Sequence, residues 1–233
     1  MVRKSKALIG SLLILSLLFT PALFGKKKKS FADRHELSKV RKIAVIPFCP
    51  VKKKMKSKKY RQLARAASFF TNHYLDREVF DSDIDVKVLS YRKLRKRLKK
   101  LGYKYKCRKI YDYKRLAERL GVDTIVTGKL LKAVARNESG AEDAILSPLD
   151  ALTEQTVKVK IRFYVYRKGK LIAKKQVTTI MEGDIISNAL AGGIVADAFD
   201  ILRIREKYKK YLPPLAKAAS RFARWLVDKF PED

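Results

Sequence analysis

Residues 42–48, with the sequence KIAVIPF, form a short and almost uninterrupted apolar run. The run is rich in β-branched residues, too short for a helix and too continuous for a strand with one wet face. It predicts a central strand that is buried on both faces. Strands of this kind belong to parallel or mixed sheets covered by helices, so we expect helices on either side of the sheet.

Apolar residues at helical spacing predict three helices after this run. Their apolar stripes are Leu63, Ala67, Phe70 and Tyr74 over residues 58–77; Tyr91, Leu94, Leu98 and Leu101 over residues 91–101; and Leu116, Ala117 and Leu120 over residues 112–121. Ser90 and Asp112 stand at the N-cap positions of the second and third helices, and Gly102 and Gly121 end them.

Strand patterns lie between and after these helices. They cover residues 84–89, 121–130, 157–166 and 171–180. The segment 157–166 alternates apolar residues with Lys, Arg and Tyr, which predicts one buried face and one wet face. Lys168 and Gly169 form a tight turn that joins the last two strands into a hairpin.

This order of elements predicts the α/β fold class, as a three-layer sandwich with a mixed sheet. The expected order is β-α-β-α-α-β, followed by an antiparallel hairpin, with C-terminal helices packed on the sheet. We assign residues 41–181 to this domain and 182–233 to a helical extension of the same domain, in which Pro213 and Pro214 start the last helix. Residues 26–40 lack an apolar period and are expected to form a linker.

The first 25 residues follow the pattern of an export signal. Arg3, Lys4 and Lys6 precede an uncharged, leucine-rich segment at residues 7–25. The segment is either a cleaved signal peptide or an uncleaved anchor, because its cleavage sites are poor and its length just spans a bilayer core. We expect the chain in the periplasm, or membrane-anchored and facing the periplasm. No cysteine lies in this region, so a lipidated N-terminus is not expected.

The chain is strongly basic, with a formal net charge of +32. Such a charge favours acidic partners, and compositional bias is the alternative explanation. Two segments are candidate contacts with an anionic surface, and a solvated loop and a solvated helix face are the alternatives. They are the lysine loop, with Lys52, Lys53, Lys54, Lys56, Lys58 and Lys59, and the basic helix face, with Arg92, Lys93, Arg95, Lys96, Arg97, Lys99 and Lys100. The loop has no arginine and few aromatic residues, which favours generic anion attraction over nucleic-acid recognition.

Residues that carry catalysis or bind metals are few. His35 and His73 have no cysteine or carboxylate cluster at metal-ligand spacing, and no glycine-rich phosphate loop, nucleophile elbow or paired-acid motif occurs. We therefore predict a protein that is not an enzyme and that needs no cofactor or metal. Cys49 and Cys107 are the only two cysteines. Export would allow them to form one disulfide, and two buried thiols are the alternative.

Several of these segments together resemble a known family. The KIAVIPF strand, the helix after it, the run LGVDTIVTGKL at 120–130 and the hairpin with its glycine turn are similar to the TolB amino-terminal-domain-like family. That family includes the curli assembly protein CsgG and activator lipoproteins of penicillin-binding proteins. The resemblance implies an accessory protein of the bacterial cell envelope, associated with the outer membrane, that acts by protein–protein interaction or by assembly with itself.

Two features separate this chain from the family pattern. It lacks a lipidation cysteine, and the acidic residues of segment 133–156 do not show the alternation of a membrane hairpin, so a pore is not expected. The alternative function is a basic protein that binds a polyanion: an anionic membrane surface, lipopolysaccharide or nucleic acid. Nucleic acid is the least expected of these ligands for an exported protein.

Overall fold

The computed structural model of the chain describes residues 30–103, 112–137, 155–182, 185–186 and 193–231. The predicted export signal at residues 1–25 and Cys107 lie outside this part of the chain. Within it, none of the helices is long and apolar enough to cross a membrane.

A mixed sheet of seven strands forms the centre of the described structure. Its strands are β1 (Phe31–Ala32), β2 (Lys42–Val45), β3 (Cys49–Pro50), β4 (Lys87–Val88), β5 (Thr124–Asn137), β6 (Gln155–Arg167) and β7 (Lys170–Met181). The order across the sheet is β1-β7-β6-β5-β2-β4, and β3 also pairs with β5. Strand β2 pairs in parallel with β4 and β5, and β3 pairs in parallel with β5. The pairs β5–β6, β6–β7 and β7–β1 are antiparallel. The predicted mixed sheet with a hairpin is therefore confirmed.

Helices cover both faces of this sheet. They are α1 (Arg34–Leu37), α2 (Lys58–Asp81), α3 (Tyr91–Lys100), α4 (Tyr113–Leu120), α5 (Gly193–Leu202) and α6 (Leu212–Val227), with 3₁₀ turns at Lys52–Lys54 and Glu206–Tyr211. On one face α2 and α6 pack over the sheet, where Phe163 of β6 stacks on Phe222 of α6 with ring centroids 4.2 Å apart. On the other face, Leu94 of α3 and Leu120 of α4 pack against Ile125 of β5. The predicted three-layer α/β sandwich is confirmed.

The central strand is buried on both faces, as its apolar run predicts. Ile43, Ala44 and Val45 have no exposed surface. The strand is shorter than predicted because Pro47, which lacks an amide N–H, follows Ile46. At its other end, the Asp123 carboxylate accepts hydrogen bonds from the backbone N–H groups of residues 41 and 42, which fixes the start of β5 beside the start of β2.

The two predicted N-caps differ in the structure. The Asp112 carboxylate accepts a hydrogen bond from the backbone N–H of Arg115 at 3.1 Å, and Gly121 ends α4 in the left-handed region at φ 64°. Ser90 occupies the N-cap position of α3, but its side chain makes no capping hydrogen bond. Both residues occupy their predicted N-cap positions, but only Asp112 caps its helix through its side chain.

The prediction of a linker at residues 26–40 is wrong over residues 30–40. Phe31 pairs with Lys174 as the edge strand β1, the short helix α1 follows, and Leu37 and Val40 are fully buried in the core. The apolar residues of this segment are too few and too unevenly spaced to give a helical or strand period. The segment is thus an integral part of the domain.

Two predicted strand regions also have different lengths in the structure. The segment 84–89 contributes only Lys87 and Val88 to the sheet, at its edge beside β2. In contrast, β5 continues to Asn137 and β6 begins at Gln155, so the central hairpin is longer than its apolar pattern predicts. Charged residues on the outer side of β5 hide the strand signal beyond residue 130.

Candidate functional site

The basic helix face predicted over residues 91–101 is present on α3. Leu94 and Leu98 point into the core, and the basic residues of the helix are exposed. Arg97 differs from the others, because its guanidinium donates a hydrogen bond to the backbone carbonyl of Leu120. It therefore satisfies a C-terminal carbonyl of α4 and is not a free surface cation. The face that remains consists of Arg92, Lys93, Arg95, Lys96, Lys99 and Lys100.

A groove of about 840 Å³ lies beside α3. Its apolar part is formed by Phe69 of α2, Ile201 of α5, and Tyr91, Leu98 and Tyr103. Arg92, Arg95, Lys96 and Lys99 line its rim. The structure thus combines four of the predicted cations with apolar side chains from three separate helices. We refer to this combination as the α3 groove.

The ring of Tyr91 forms one wall of the α3 groove. It packs edge-on against Phe69 with ring centroids 5.1 Å apart, and Arg95 lies 6.0 Å from its centre. Burial raises the pKa of Tyr91 above its ordinary value, so the ring adds no negative charge beside Arg95. Ile201 is 51% exposed, which leaves an aliphatic side chain open to a ligand. Among the lining residues in the described structure there is no carboxylate and no histidine.

This lining favours an amphipathic anion. Arginine and lysine at the rim attract a carboxylate or phosphate, and the aromatic and aliphatic part removes apolar surface from water. Aromatic residues together with arginine are typical of the centres of protein–protein interfaces. The geometry is therefore suited to binding a partner with an acidic and apolar surface.

The lysine loop forms a second basic surface at the start of α2. Lys52, Lys53, Lys54, Lys56 and Lys58 are exposed. Lys58 and Phe69 are separated by ~16 Å along α2, at 1.5 Å per residue. The loop is therefore distinct from the α3 groove.

Lys59 belongs to the structural framework rather than to this surface. Its ammonium donates a hydrogen bond to the Tyr211 hydroxyl at 2.5 Å and lies 3.9 Å from the centre of the same ring. Burial lowers its pKa, as expected for an amine removed from water. The contact ties α2 to the 3₁₀ turn before α6. Lys59 and Arg97 are thus the two predicted anion contacts that instead hold elements together.

The remaining candidate residues in the described part of the chain, His73 and Cys49, have structural contacts. In the described parts of the chain, no group of three or more His, Cys, Asp or Glu residues could hold a metal ion. His73 packs edge-on against Tyr74 at 5.4 Å, and burial followed by the charge of Arg77 lowers its pKa. Cys49 on β3 is disulfide-bonded. Its pairing with Cys107 stays a prediction, because Cys107 lies outside the described residues.

The apolar part of the α3 groove was not predicted from the sequence. Phe69 lies next to the predicted stripe residue Phe70, and both rings are buried because α2 contacts the sheet on one side and α3 on another. The two adjacent phenylalanines were the one signal in the sequence that α2 has a second buried side. Ile201 is about 100 residues away in sequence, so no local pattern connects it with α3.

Comparisons with known proteins place the chain near several bacterial structures at low similarity. No family model and no curated protein sequence matches it. The chain is similar to lipoprotein GNA1162 from Neisseria meningitidis, with 11% identity, coverage of 70% of this chain and 97% of that chain, and a TM-score of 0.40. It is also similar to a PelC dodecamer from Paraburkholderia phytofirmans, with 12% identity, coverage of 78% of this chain and 86% of that chain, and a TM-score of 0.37.

A third solved structure has a comparable likeness. It is the hypothetical protein CT253 from Chlamydia trachomatis, with 9% identity, coverage of 81% of this chain and 94% of that chain, and a TM-score of 0.36. Identities and scores of this size leave the function open. What the chain binds must therefore be argued from its own residues.

Proposed function

We propose that this chain is a non-enzymatic accessory protein of the bacterial cell envelope that binds a partner protein through the α3 groove. The observation that carries the proposal is the combination of an apolar groove of about 840 Å³ with four basic side chains at its rim. Export rests on the amino-terminal pattern, and the envelope role rests on the resemblance to the TolB amino-terminal-domain-like family.

The net charge favours a different protein over self-assembly as the partner. Two copies of a chain with a formal charge of +32 repel each other, and both would present cations at the same groove. A partner with acidic residues around an apolar anchor complements the rim and the centre of the groove at once. We therefore expect a heterologous complex that weakens as the salt concentration rises.

The second candidate function is contact with an anionic membrane surface or lipopolysaccharide. Specific support comes from the exposed cations of α3 and of the lysine loop. Each basic residue near an anionic bilayer contributes ~1 kcal/mol, so several together suffice for measurable binding. Vesicle sedimentation with acidic and neutral lipids tests this candidate. Equal binding to both, or no loss at raised salt, would exclude it.

A matched pair of lysines sharpens the vesicle experiment. Lys58→Gln removes an exposed cation and is expected to weaken binding to acidic vesicles by ~5-fold, as a loss of ~1 kcal/mol implies. Lys59→Gln removes the same charge from a side chain committed to Tyr211 and is expected to leave binding unchanged. Equal losses from the two variants would show that binding depends on total charge alone.

Site-specific crosslinking in the native cell tests the principal proposal. A photo-reactive residue is placed at Ile201 in the α3 groove, and as a control at Phe80, which is 83% exposed and lies outside it. We expect a discrete crosslinked protein from position 201 that is lost when Arg92 and Arg95 are replaced by Glu. The same products from both positions, or none from position 201, would contradict the proposal.

The envelope location is tested separately. A reporter enzyme that is active only after export is fused to the carboxyl end of the full chain. Activity is expected outside the cytoplasm. Activity confined to the cytoplasm would contradict export and would make nucleic acid the first candidate among the possible polyanions.

A further inference from the structure

A third concentration of positive charge lies on the long antiparallel strands, outside both basic segments described above. Strand register places seven cations on one face of the sheet, which we call the basic sheet face. Its members are Lys129, Lys132 and Arg136 of β5, Lys158, Lys160 and Arg162 of β6, and Lys174 of β7. The alternate residues of β6, such as Val159 and Ile161, are fully buried on the opposite face.

The cations of this face repel one another across neighbouring strands, which is unfavourable for folding. Lys129 is directly opposite Arg162, and Lys132 is directly opposite Lys160. Like charges at directly opposed positions of two strands destabilise a sheet. No Asp or Glu occupies this face in the described strands, and none of its seven cations forms an ion pair there. The repulsion is therefore uncompensated within the described structure.

Arg162 is only partly satisfied by the protein. One terminal nitrogen of its guanidinium donates a hydrogen bond to the Gln176 side chain at 2.9 Å. Its Nε is buried and has no hydrogen-bond partner. Orphaned buried donors are costly, and an oxyanion is the acceptor that best matches the donors of a guanidinium. The face therefore carries an incompletely satisfied guanidinium beside its opposed cations.

The position of the face in the fold limits the shape of that ligand. The side chains of Ile125, Thr127 and Lys129 lie on the same side of β5, because every second residue of a strand faces the same way. Helices α3 and α4 cover that side of the sheet at Ile125. The basic sheet face therefore lies beside the helices and is recessed from their outer surface by one helix diameter, ~10 Å. A flat bilayer resting on the helices does not reach it. A narrow extended chain does.

The spacing of the cations matches an extended acidic peptide. Lys158, Lys160 and Arg162 occupy every second position of one strand, so they repeat at ~6.8 Å. A peptide in extended conformation presents carboxylates at the same repeat when every second residue is acidic. Five of the seven cations are lysine. The aromatic residues on the same side of β6, Tyr164 and Tyr166, are partly buried, and the Tyr166 ring stacks on Tyr113 of α4. Surfaces that bind nucleic acid offer stacking rings and arginine forks instead, so carboxylate is favoured over phosphate.

We infer that the basic sheet face binds an extended acidic segment of a protein partner, in which acidic residues alternate with neutral ones. This inference rests on the proposed function, namely that the chain works by binding another protein, and it adds the chemistry of the partner segment. The carboxylates of the segment lie over β6 and neutralise the opposed cations of β5 and β6. Binding therefore removes a repulsion that the free protein retains.

Two synthetic peptides of equal length and charge test the inference on the full chain. In the first, Glu alternates with Thr; in the second, the same residues are grouped as Glu-Glu-Thr-Thr, which breaks the match to the strand repeat. We expect the alternating peptide to bind more tightly. Replacing Lys160 and Arg162 by Gln is expected to weaken its binding by at least about tenfold, because two ion pairs are lost. The control replaces Lys217 and Arg221, which are exposed on α6 beyond the other face of the sheet, and is expected to have no effect.

A stability measurement on the same variants separates function from folding. Lys160→Thr is expected to raise the melting temperature, since it removes a cation opposed to Lys132 and introduces a β-branched residue. The same variant is expected to bind the alternating peptide less well. A loss of stability in Lys160→Thr, or equal binding of the two peptides, would overturn the inference. Tighter binding of a polyuronate or an oligonucleotide of matched charge would also overturn it, because the ligand would then be another class of polymer.

Failure of this inference is distinguishable from failure of the proposed function. Arg92→Gln together with Lys96→Gln changes only the α3 groove and is expected to leave peptide binding intact. Peptide binding that persists without a crosslink at position 201 supports the basic sheet face and refutes the groove as the docking site. A crosslink at position 201 without peptide binding supports the groove as the docking site and refutes the basic sheet face.

Discussion

Gly128 on β5 shows how a single residue fixes the packing of the core. A Cβ at this position would lie 2.7 Å from two ring carbons of Phe48, closer than any ordinary contact. Phe48 is fully buried and packs edge-on against Phe163 with ring centroids 5.6 Å apart. The close approach of this ring therefore requires a glycine at position 128. Phe48 is the last residue of the KIAVIPF run.

Gly128→Ala is expected to destabilise the protein by about 1–3 kcal/mol, because the buried ring must shift in a close-packed core. Chemical denaturation measures the loss. Gly193→Ala is the matched control, since a Cβ there meets no atom within 4 Å and the residue begins α5. A loss at position 193 as large as that at position 128 would contradict the explanation.

At the scale of elements, the amino-terminal ends of α3 and α4 offer a second matched pair. Asp112→Ala removes a side chain that accepts a hydrogen bond from the backbone N–H of Arg115 and is expected to cost about 1 kcal/mol. Ser90→Ala is expected to cost less, because the Ser90 side chain makes no capping bond. Urea denaturation of both variants tests the difference. An equal or larger loss for Ser90→Ala would refute the assignment of the caps.

The short helix α1 is attached to the end of β6 by an ion pair that makes stability depend on pH. Arg167 lies 2.8 Å from the Glu36 carboxylate, and its hydrogen bond, together with nearby Lys39, holds the pKa of Glu36 below its ordinary value of 4.5. Since the folded state favours the ionised form, this stabilisation is present above pH 4.5. It is lost as the pH falls through the lowered pKa.

Glu36→Gln is therefore expected to lower the melting temperature near neutral pH. The difference from the unmodified protein should shrink as the pH falls below 4.5 and disappear below the lowered pKa, where Glu36 is protonated in both folded and unfolded states. Calorimetry over this range checks the prediction. A difference that is constant with pH would mean that the ion pair does not contribute to stability.

Elements with a strong local period were predictable from sequence, and elements defined by distant partners were not. The central strand at residues 42–45 and the helix Tyr113–Leu120 carry their own apolar patterns and caps. The edge strand Phe31–Ala32 has two residues and exists because β7 is available to pair with it. The ends of β5 and β6 are extended by pairing with each other, although Lys129 and Lys132 interrupt the apolar pattern.

The candidate site follows the same division at the scale of the whole molecule. The cations of α3 were visible as a run of charge, whereas the α3 groove needs Phe69 and Ile201 from two other helices. Charge alone did not reveal that Lys59 and Arg97 have structural partners. The basic sheet face was visible only once strand register set Lys129 opposite Arg162. Composition therefore predicts that cations are abundant, and only the fold shows which of them are available.

Strand β3 carries a covalent link at Cys49. Cys49 is disulfide-bonded and pairs in the sheet with Lys129 of β5. With Cys107 as its predicted partner, the bond would close a loop of about 59 residues and stabilise the fold by roughly 4 kcal/mol in the chain-entropy model. Replacing both cysteines by Ser is expected to lower the melting temperature. Adding a reductant should lower it for the original chain and leave the double variant unchanged, and two free thiols in denatured, unreduced protein from the envelope would refute the bond.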